Sequence, residues 1–164
     1  MPRLTGHGRG GTEILCYLIY LLSMNDTKSS IGRRLIILGI VFLIFLAFLH
    51  LFAVASDAYF IIWWFDIFMH GFGGVTIGLL IIGFFLHINI KKESGTSLKK
   101  IFISLVIYMF IAMIIWEIFE YISFILHSQI WNGWSDTIQD IIMGYMGSFV
   151  VFLSTRKYIQ SSLA

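Results

Sequence analysis

Four long apolar segments constrain this chain of 164 residues more than any other feature of its sequence. A helix that crosses the ~30 Å hydrocarbon core of a bilayer needs about 20 mostly apolar residues. The segments that reach or approach this length cover residues 35–55, 67–90, 101–126 and 138–153. Charged residues make up only 12% of the chain, against roughly 25% in soluble domains. The sequence therefore predicts an all-α fold, a bundle of four transmembrane helices embedded in a lipid bilayer.

The small numbers of charged, cysteine and proline residues exclude several other classes of protein. Eleven Lys and Arg residues and nine Asp and Glu residues give a net charge of +2, so the chain has no basic excess for binding nucleic acid. One Cys excludes a disulfide scaffold and a Cys-based zinc site, and one Pro excludes a proline-rich linker. We expect one membrane domain at residues 35–155, a cytoplasmic or interfacial segment at 1–34 and a short cytoplasmic tail at 156–164.

The basic residues all fall on one side of the predicted spans. They precede the first span, lie between the second and third, or follow the fourth: Arg3, Arg9, Lys28, Arg33, Arg34, Lys91, Lys92, Lys99, Lys100, Arg156 and Lys157. The other two loops contain neither Lys nor Arg. Because loops rich in Lys and Arg remain in the cytoplasm, this pattern predicts a multi-pass membrane protein with both termini cytoplasmic.

The N-terminal region contains a shorter apolar run at residues 14–22, which is too short to span a bilayer. It has the length of the apolar part of a signal peptide, but the residues that follow make a poor cleavage site. We favour two other interpretations. Either translation starts at Met24, or the run forms a short helix at the membrane interface.

Acidic residues and histidines gather at the opposite, predicted outer side. Three pairs are spaced for one face of a helix, at i,i+3 or i,i+4. These pairs are Asp66 with His70, Glu117 with Glu120, and Asp136 with Asp140. Carboxylates inside membrane segments are rare and usually functional. We therefore predict an outward-facing polar site built from these three helices.

The chemistry of such a site follows from the lack of nearby basic residues. Burying like charges without compensation costs several kcal/mol, so the carboxylates must bind a metal ion, share protons or stay hydrated in a cavity. A His with several carboxylates suits Mg, Mn, Fe(II) or Zn. The predicted metal ligands are Asp66, His70, Glu117, Glu120, Asp136 and Asp140. Glu117 and Glu120 are also candidate catalytic residues, as a general base.

Simpler interpretations apply to several of the same residues. Asp136 suits the N-cap of the fourth helix, Asp57 suits a loop, and His50, His87 and His127 suit the membrane interface. Most of the tryptophans suit an aromatic belt at the headgroup level, although residues 131–134 could instead form a lid over the site. Glycines follow His70 and Asp140, namely Gly71, Gly73, Gly74, Gly78, Gly144 and Gly147. They favour close approach of the second and fourth spans.

Three motifs in order resemble those of a known family. They are Asp66-x-x-x-His70 with Gly73-Gly74, then Trp116-Glu117-x-x-Glu120, then Asp136-Thr137-x-x-Asp140 with Gly144 and Gly147. Over about residues 35–155 the chain resembles the YjdF-type family of small prokaryotic membrane proteins, and more distantly the VanZ-like proteins.

The VanZ-like pattern fits less well than the YjdF-type pattern. It usually has a Lys after the first Asp, Gln in place of Glu120, and a basic residue where this chain has Trp134-Ser135. The YjdF-type resemblance implies a multi-pass protein of the prokaryotic plasma (inner) membrane. The VanZ-like resemblance implies a link to glycopeptide-antibiotic tolerance at the cell envelope.

Three functions are compatible with these features. In the first, the outer site binds or acts on an envelope or lipid-linked molecule, with metal-assisted hydrolysis or transfer as the natural chemistry. In the second, the carboxylates serve a proton- or cation-coupled transporter; four spans are few for alternating access, so this function requires a homo-oligomer. In the third, the chain is a structural membrane protein without chemistry. The sequence leaves open whether the protein is an enzyme.

Overall fold

A computed structural model of the protein describes residues 28–91, 97–127 and 133–163, which form five helices and no strand. The helices are α1 (Lys28–Ala55), α2 (Ala58–Ile61), α3 (Phe65–Lys91), α4 (Leu98–His127) and α5 (Trp134–Leu163). The all-α prediction is confirmed. The apolar run at residues 14–22, Met24 and Trp131 lie outside the described residues.

Four of these helices are long and apolar enough to cross a membrane. The qualifying segments are Ile31–Ala55, Phe65–Ile88, Leu98–Ile122 and Trp134–Gln160. Large apolar side chains on their outer surfaces, among them Phe48, Ile107 and Val150, are half or more exposed. This surface suits hydrocarbon and not water. The four predicted spans are therefore all present as helices.

The helices extend beyond the apolar runs that predict them. The fourth predicted run covers residues 138–153, whereas α5 continues from Trp134 to Leu163. Within a bilayer every backbone N–H and C=O needs a partner, and a continuous helix satisfies them through the polar flanks. The extension at the start of α5 places Asp136 inside the first turn. The N-cap interpretation of Asp136 is therefore wrong, and Gly133, whose carbonyl accepts from the Asp136 amide at 3.2 Å, occupies that role.

Contacts between helices show that the chain runs back and forth. Gly32 of α1 lies against His87 of α3, and Leu46 lies near Gly73, so these two helices are antiparallel. The ends at Ala55, Phe65, His127 and Trp134 thus form one end of the bundle, which we call the carboxylate end. The other end, called the basic end, carries the Lys and Arg residues whose side chains are described, all near the ends of the helices: Arg33, Arg34, Lys99, Lys100, Arg156 and Lys157.

The central helix of the bundle is α3, which packs against α1 on one side and α5 on another, while α4 packs against both α3 and α5. The main apolar core fills the half of the bundle towards the basic end. Its fully buried side chains include Ile82, Leu86, Ile101, Met109 and Ile159. A smaller cluster of Ala53, Ala58, Phe65 and Met69 closes the carboxylate end beneath α2.

Glycines bring α3 and α5 into backbone contact. A Cβ atom placed on Gly74 would overlap the backbone of Gly144, and one on Gly147 would overlap the carbonyl of Gly71. The predicted close approach of the second and fourth spans is confirmed. The contact lies within about one to two turns of His70 and Asp140, so it sets the distance between those residues.

Candidate functional site

His70 lies at the centre of a polar cluster to which three helices contribute. Its Nε2 atom lies 3.5 Å from Asp66 Oδ1, 3.6 Å from Glu120 Oε1 and 3.6 Å from Asp140 Oδ2. These separations are longer than good hydrogen bonds of about 2.7–3.2 Å. Atoms that coordinate one ion at ~2.1 Å lie roughly 3–3.5 Å apart, so the spacing suits a shared cation.

Helix geometry explains how these side chains meet. Asp66 and His70 are one turn apart in the first turns of α3, so both point from the same face. Asp140 occupies the second turn of α5, which the glycine contact holds against α3. Glu117 and Glu120 arrive on α4, and the Glu117 carboxylate has the hydroxyl of Thr137 as a hydrogen-bond partner.

Asp140 is the most enclosed member of the cluster. Its side chain is 2% exposed, and its Oδ1 atom is buried without a hydrogen-bond partner among the described residues. A buried carboxylate oxygen without a partner is unfavourable by about 1–3 kcal/mol or more, which a proton or a cation removes. The described Lys and Arg side chains belong to the basic end and offer none here.

Asp140 is also shared between two groups that could hold an ion. One is Asp66, His70 and Asp140, and the other is Glu117, Glu120 and Asp140; within each, the potential ligand atoms lie within 4.8 Å of one another. Five of the six predicted ligands are thus brought together. Asp136 belongs to neither group and lies one turn before Asp140 on α5.

Three residues of the site escaped the sequence-based prediction. The Trp116 indole Nε1–H donates to Glu120 Oε1 at 2.7 Å, and the His50 Nδ1 atom lies 2.8 Å from the Tyr59 hydroxyl. The rings of His50 and Trp116 meet edge to face at 5.9 Å. These contacts add His50 to the site, and its position at the membrane interface stays a prediction. Trp116 could have been suspected as the neighbour of Glu117, whereas nothing in the sequence indicated Tyr59.

Tyr59 lies outside the spanning segments, on α2. Burial raises the pKa of its hydroxyl well above the usual range, and the negative charges of Asp66 and Glu120 raise it further. The phenol therefore stays protonated, and its hydroxyl can donate a hydrogen bond to a neighbour such as His50.

A cavity of about 590 Å³ opens from the polar cluster into the bundle. It lies between α1 and α4, with α3 as its floor. At the carboxylate end it is bordered by Asp66, His70 and Glu120 together with His50, Tyr59 and Trp116. Further along, its walls are apolar and include Leu43, Leu46, Gly73, Ile77, Ala112 and Met113. The cavity is therefore polar at one end and apolar along the rest of its length.

The remaining candidates lie away from this cluster. His87 sits near the basic end, with its Nδ1 atom buried and unpartnered within the described part of the chain. Asp57 is in the turn before α2, with a left-handed backbone (φ 55°), as the loop interpretation expects. Trp63 is 81% exposed, which suits an aromatic belt. The side chain of His127 and the first two residues of the segment proposed as a lid, 131 and 132, lie outside the described residues.

A family described as "Predicted membrane protein (DUF2238)" matches residues 11–161, which is most of the chain. No curated protein and no solved structure is detectably similar to it.

Proposed function

The chain belongs to the DUF2238 family of predicted membrane proteins, which includes the YjdF-type proteins, and we propose that its site holds a divalent metal ion. The ligands in this proposal are His70 and the surrounding carboxylates, inside the membrane-embedded bundle. The observation that carries this proposal is the convergence on His70 of Asp66, Glu120 and Asp140 from three helices. The buried Oδ1 of Asp140 has no hydrogen-bond partner among the described residues, and a bound cation would give it one.

The donor set narrows the choice of metal. One imidazole nitrogen with carboxylate oxygens suits Mn, Fe(II) or Zn, and it suits Mg less well because Mg prefers oxygen ligands only. His70, Asp66 and Asp140 would hold the ion, and Glu117 and Glu120 would complete or extend its coordination.

The proposed role is to bind, and where chemistry occurs to act on, an envelope or lipid-linked molecule. A bound divalent ion would acidify a water molecule or polarise a bond of the ligand for hydrolysis or transfer. Glu120 is the better placed general base, since it borders the cavity and its carboxylate is oriented by Trp116. Glu117 does not border the cavity, so we assign it to the metal.

The proposal places the site at the outer face of a prokaryotic plasma membrane, with both termini in the cytoplasm. Its support is the separation of the basic end from the carboxylate end, together with the positive-inside rule. The envelope-tolerance role implied by the VanZ-like resemblance stays a prediction. Transport and a purely structural role also stay predictions. Among the described residues, the apolar core around Ile82, Leu86 and Ile101 fills the bundle below the site and offers no polar path for an ion, which favours the metal centre over transport.

Elemental analysis of the purified protein tests the metal centre. The full chain would be exchanged into nanodiscs, loaded with Mn, Fe(II) or Zn, and freed of loose ions before measurement. We expect one stoichiometric ion in the wild type and its loss in Asp140→Asn. Asp57→Asn, which removes an exposed loop carboxylate, is the matched control and should retain it. A wild type without stoichiometric metal would refute the proposal.

A further inference from the structure

The apolar part of the cavity runs along α3 away from the polar cluster. Asp66, His70, Gly73 and Ile77 follow one another along its floor. The eleven steps along the helix from Asp66 to Ile77 cover about 16 Å at ~1.5 Å per residue. Because its volume of about 590 Å³ is spread over that length, the cavity has a narrow cross-section. It falls within the roughly 300–1,000 Å³ of small-ligand sites, and its shape suits one extended chain.

The cavity is open towards the surface that faces lipid. Its rim includes Leu43 and Leu51 on α1 and Ile115 and Phe119 on α4, and each of these side chains is 45% or more exposed. An apolar chain can therefore enter sideways from the bilayer, between α1 and α4. It need not cross the layer of lipid headgroups, because both the rim and the walls are apolar.

The polar end of the cavity offers acceptors and few donors. Trp116 already donates to Glu120, and the Tyr59 hydroxyl already pairs with His50. Asp66 and Glu120 remain as carboxylates facing the cavity, with Asp140 buried behind them. Four carboxylates in the two ion-binding groups outnumber the positive charges of one divalent ion. A phosphate group is therefore repelled, while a hydroxyl or amine finds acceptors.

From these features we infer that the cavity binds a single-chain amphiphile whose head group is a hydrogen-bond donor, a hydroxyl or an amine, rather than a phosphate. The chain lies between α1 and α4 along the α3 floor. The head group lies at His70 and Glu120. The inference rests on the proposed function in so far as the metal centre would act on that head group, but chain binding depends on the cavity alone.

Photolabelling of the full chain in phosphatidylcholine nanodiscs tests the inference. The probe is a long-chain primary alcohol with a diazirine in its chain, and labelled peptides are identified by mass spectrometry. We expect labelling of α1 and α4 residues that line the cavity. Unlabelled alkyl alcohol and alkyl amine should compete at least about tenfold better than the alkyl phosphate of equal length, which is the smallest effect expected when a hydrogen bond to a charged group is lost.

Two variants fill the cavity without disturbing the contact between α3 and α5. A Cβ on Gly73 meets only Leu46 Cδ2, at 3.8 Å, so Gly73→Leu grows into the cavity; Ala112→Phe fills it from α4. Both should abolish specific labelling. Val41→Phe, on the exposed face of α1 and away from the cavity, should keep it. Thermal unfolding of each variant verifies that it is folded.

The outcomes separate this inference from the metal proposal. Metal content is measured on the same samples, and Asp140→Asn should lose metal while keeping the label. Labelling spread over all lipid-facing surfaces, or undiminished in both filled variants, would mean that bulk lipid occupies the groove, and would overturn the inference. Equal competition by the alkyl phosphate would overturn the choice of head group. Neither result alters the metal content on which the proposed function depends.

Discussion

Two faces of α3 use glycine in contrasting ways. At Gly74 the backbone of α3 touches the backbone of α5, and no side-chain atom fits between them. At the adjacent Gly73 the nearest atom to an added Cβ is a leucine methyl at 3.8 Å, beside a cavity. The closed face fixes His70 and Asp140 relative to each other, and the open face gives the same cluster access to the bilayer. Two adjacent glycines on one helix thus have different roles: Gly74 allows helix packing, and Gly73 leaves space for the cavity.

The largest expected effect comes from breaking the closed face. Gly74→Ala places a Cβ in the backbone of Gly144, so α3 and α5 must separate; we expect a loss of about 3 kcal/mol or more. Gly73→Ala meets no obstacle and should stabilise the helix by about 0.5–1 kcal/mol. Reversible unfolding in mixed detergent micelles measures both. Equal effects of the two substitutions would contradict the contrast between the faces.

The next effect concerns the carboxylate that the closed face positions. Without metal, Asp140→Asn should stabilise the fold by about 1–3 kcal/mol, because it removes the charge of a buried carboxylate whose Oδ1 has no hydrogen-bond partner among the described residues. With metal at about 100 times the dissociation constant, the wild type should gain ~2.7 kcal/mol, and the variant should gain far less. Thermal unfolding with and without Mn or Zn measures whether the stability difference between Asp140→Asn and the wild type changes sign. A variant that ranks the same way in both conditions would argue against metal at Asp140.

A smaller effect tests the open face. Trp116→Phe keeps an aromatic ring but removes the donor that orients Glu120, so we expect metal affinity to fall by about 10- to 100-fold with little change in stability. Trp63→Phe is the control, because Trp63 is exposed and lies apart from the cavity. Titration with a competing chelator gives both affinities. Unchanged affinity in Trp116→Phe would remove Trp116 from the site.

The smallest effect concerns the roof of the cavity. Tyr59→Phe removes the partner of His50 Nδ1 and should cost about 1 kcal/mol near neutral pH. The raised pKa of Tyr59 also predicts the direction in which stability changes with pH. The unfolded chain ionises this phenol from about pH 10 while the folded protein keeps it neutral, so stability falls as the pH rises above ~10. Unfolding from about pH 9 to 11 should show a shallower decline in Tyr59→Phe than in the wild type.

Much of this architecture could be predicted from local sequence patterns. The lengths of the apolar runs predicted the four long helices, and the spacings of Asp66 with His70 and of Glu117 with Glu120 predicted which side chains share a face. The glycines after His70 and Asp140 predicted the contact that brings their helices together. These features depend on helix periodicity alone.

The parts that were missed depend on how separate segments pack. Tyr59 reaches His50 only because a turn at Asp57 folds α2 back over the bundle. The cavity exists because α1 and α4 both rest on α3 with space between them, which no single helix reveals. Asp136 was placed wrongly because the helix starts before its apolar run, at Trp134.

The position of Asp140 on the last helix has a consequence for biogenesis. Chains are synthesised from the N-terminus, so Asp66 and His70 enter the membrane well before α5 is made. Until α5 docks, the cluster lacks its shared carboxylate, and the earlier helices lack the backbone that meets Gly71 and Gly74. Completion of the cluster therefore coincides with completion of insertion. A chain that ends before α5 would lack Asp140 and with it the residue that the two ion-binding groups share.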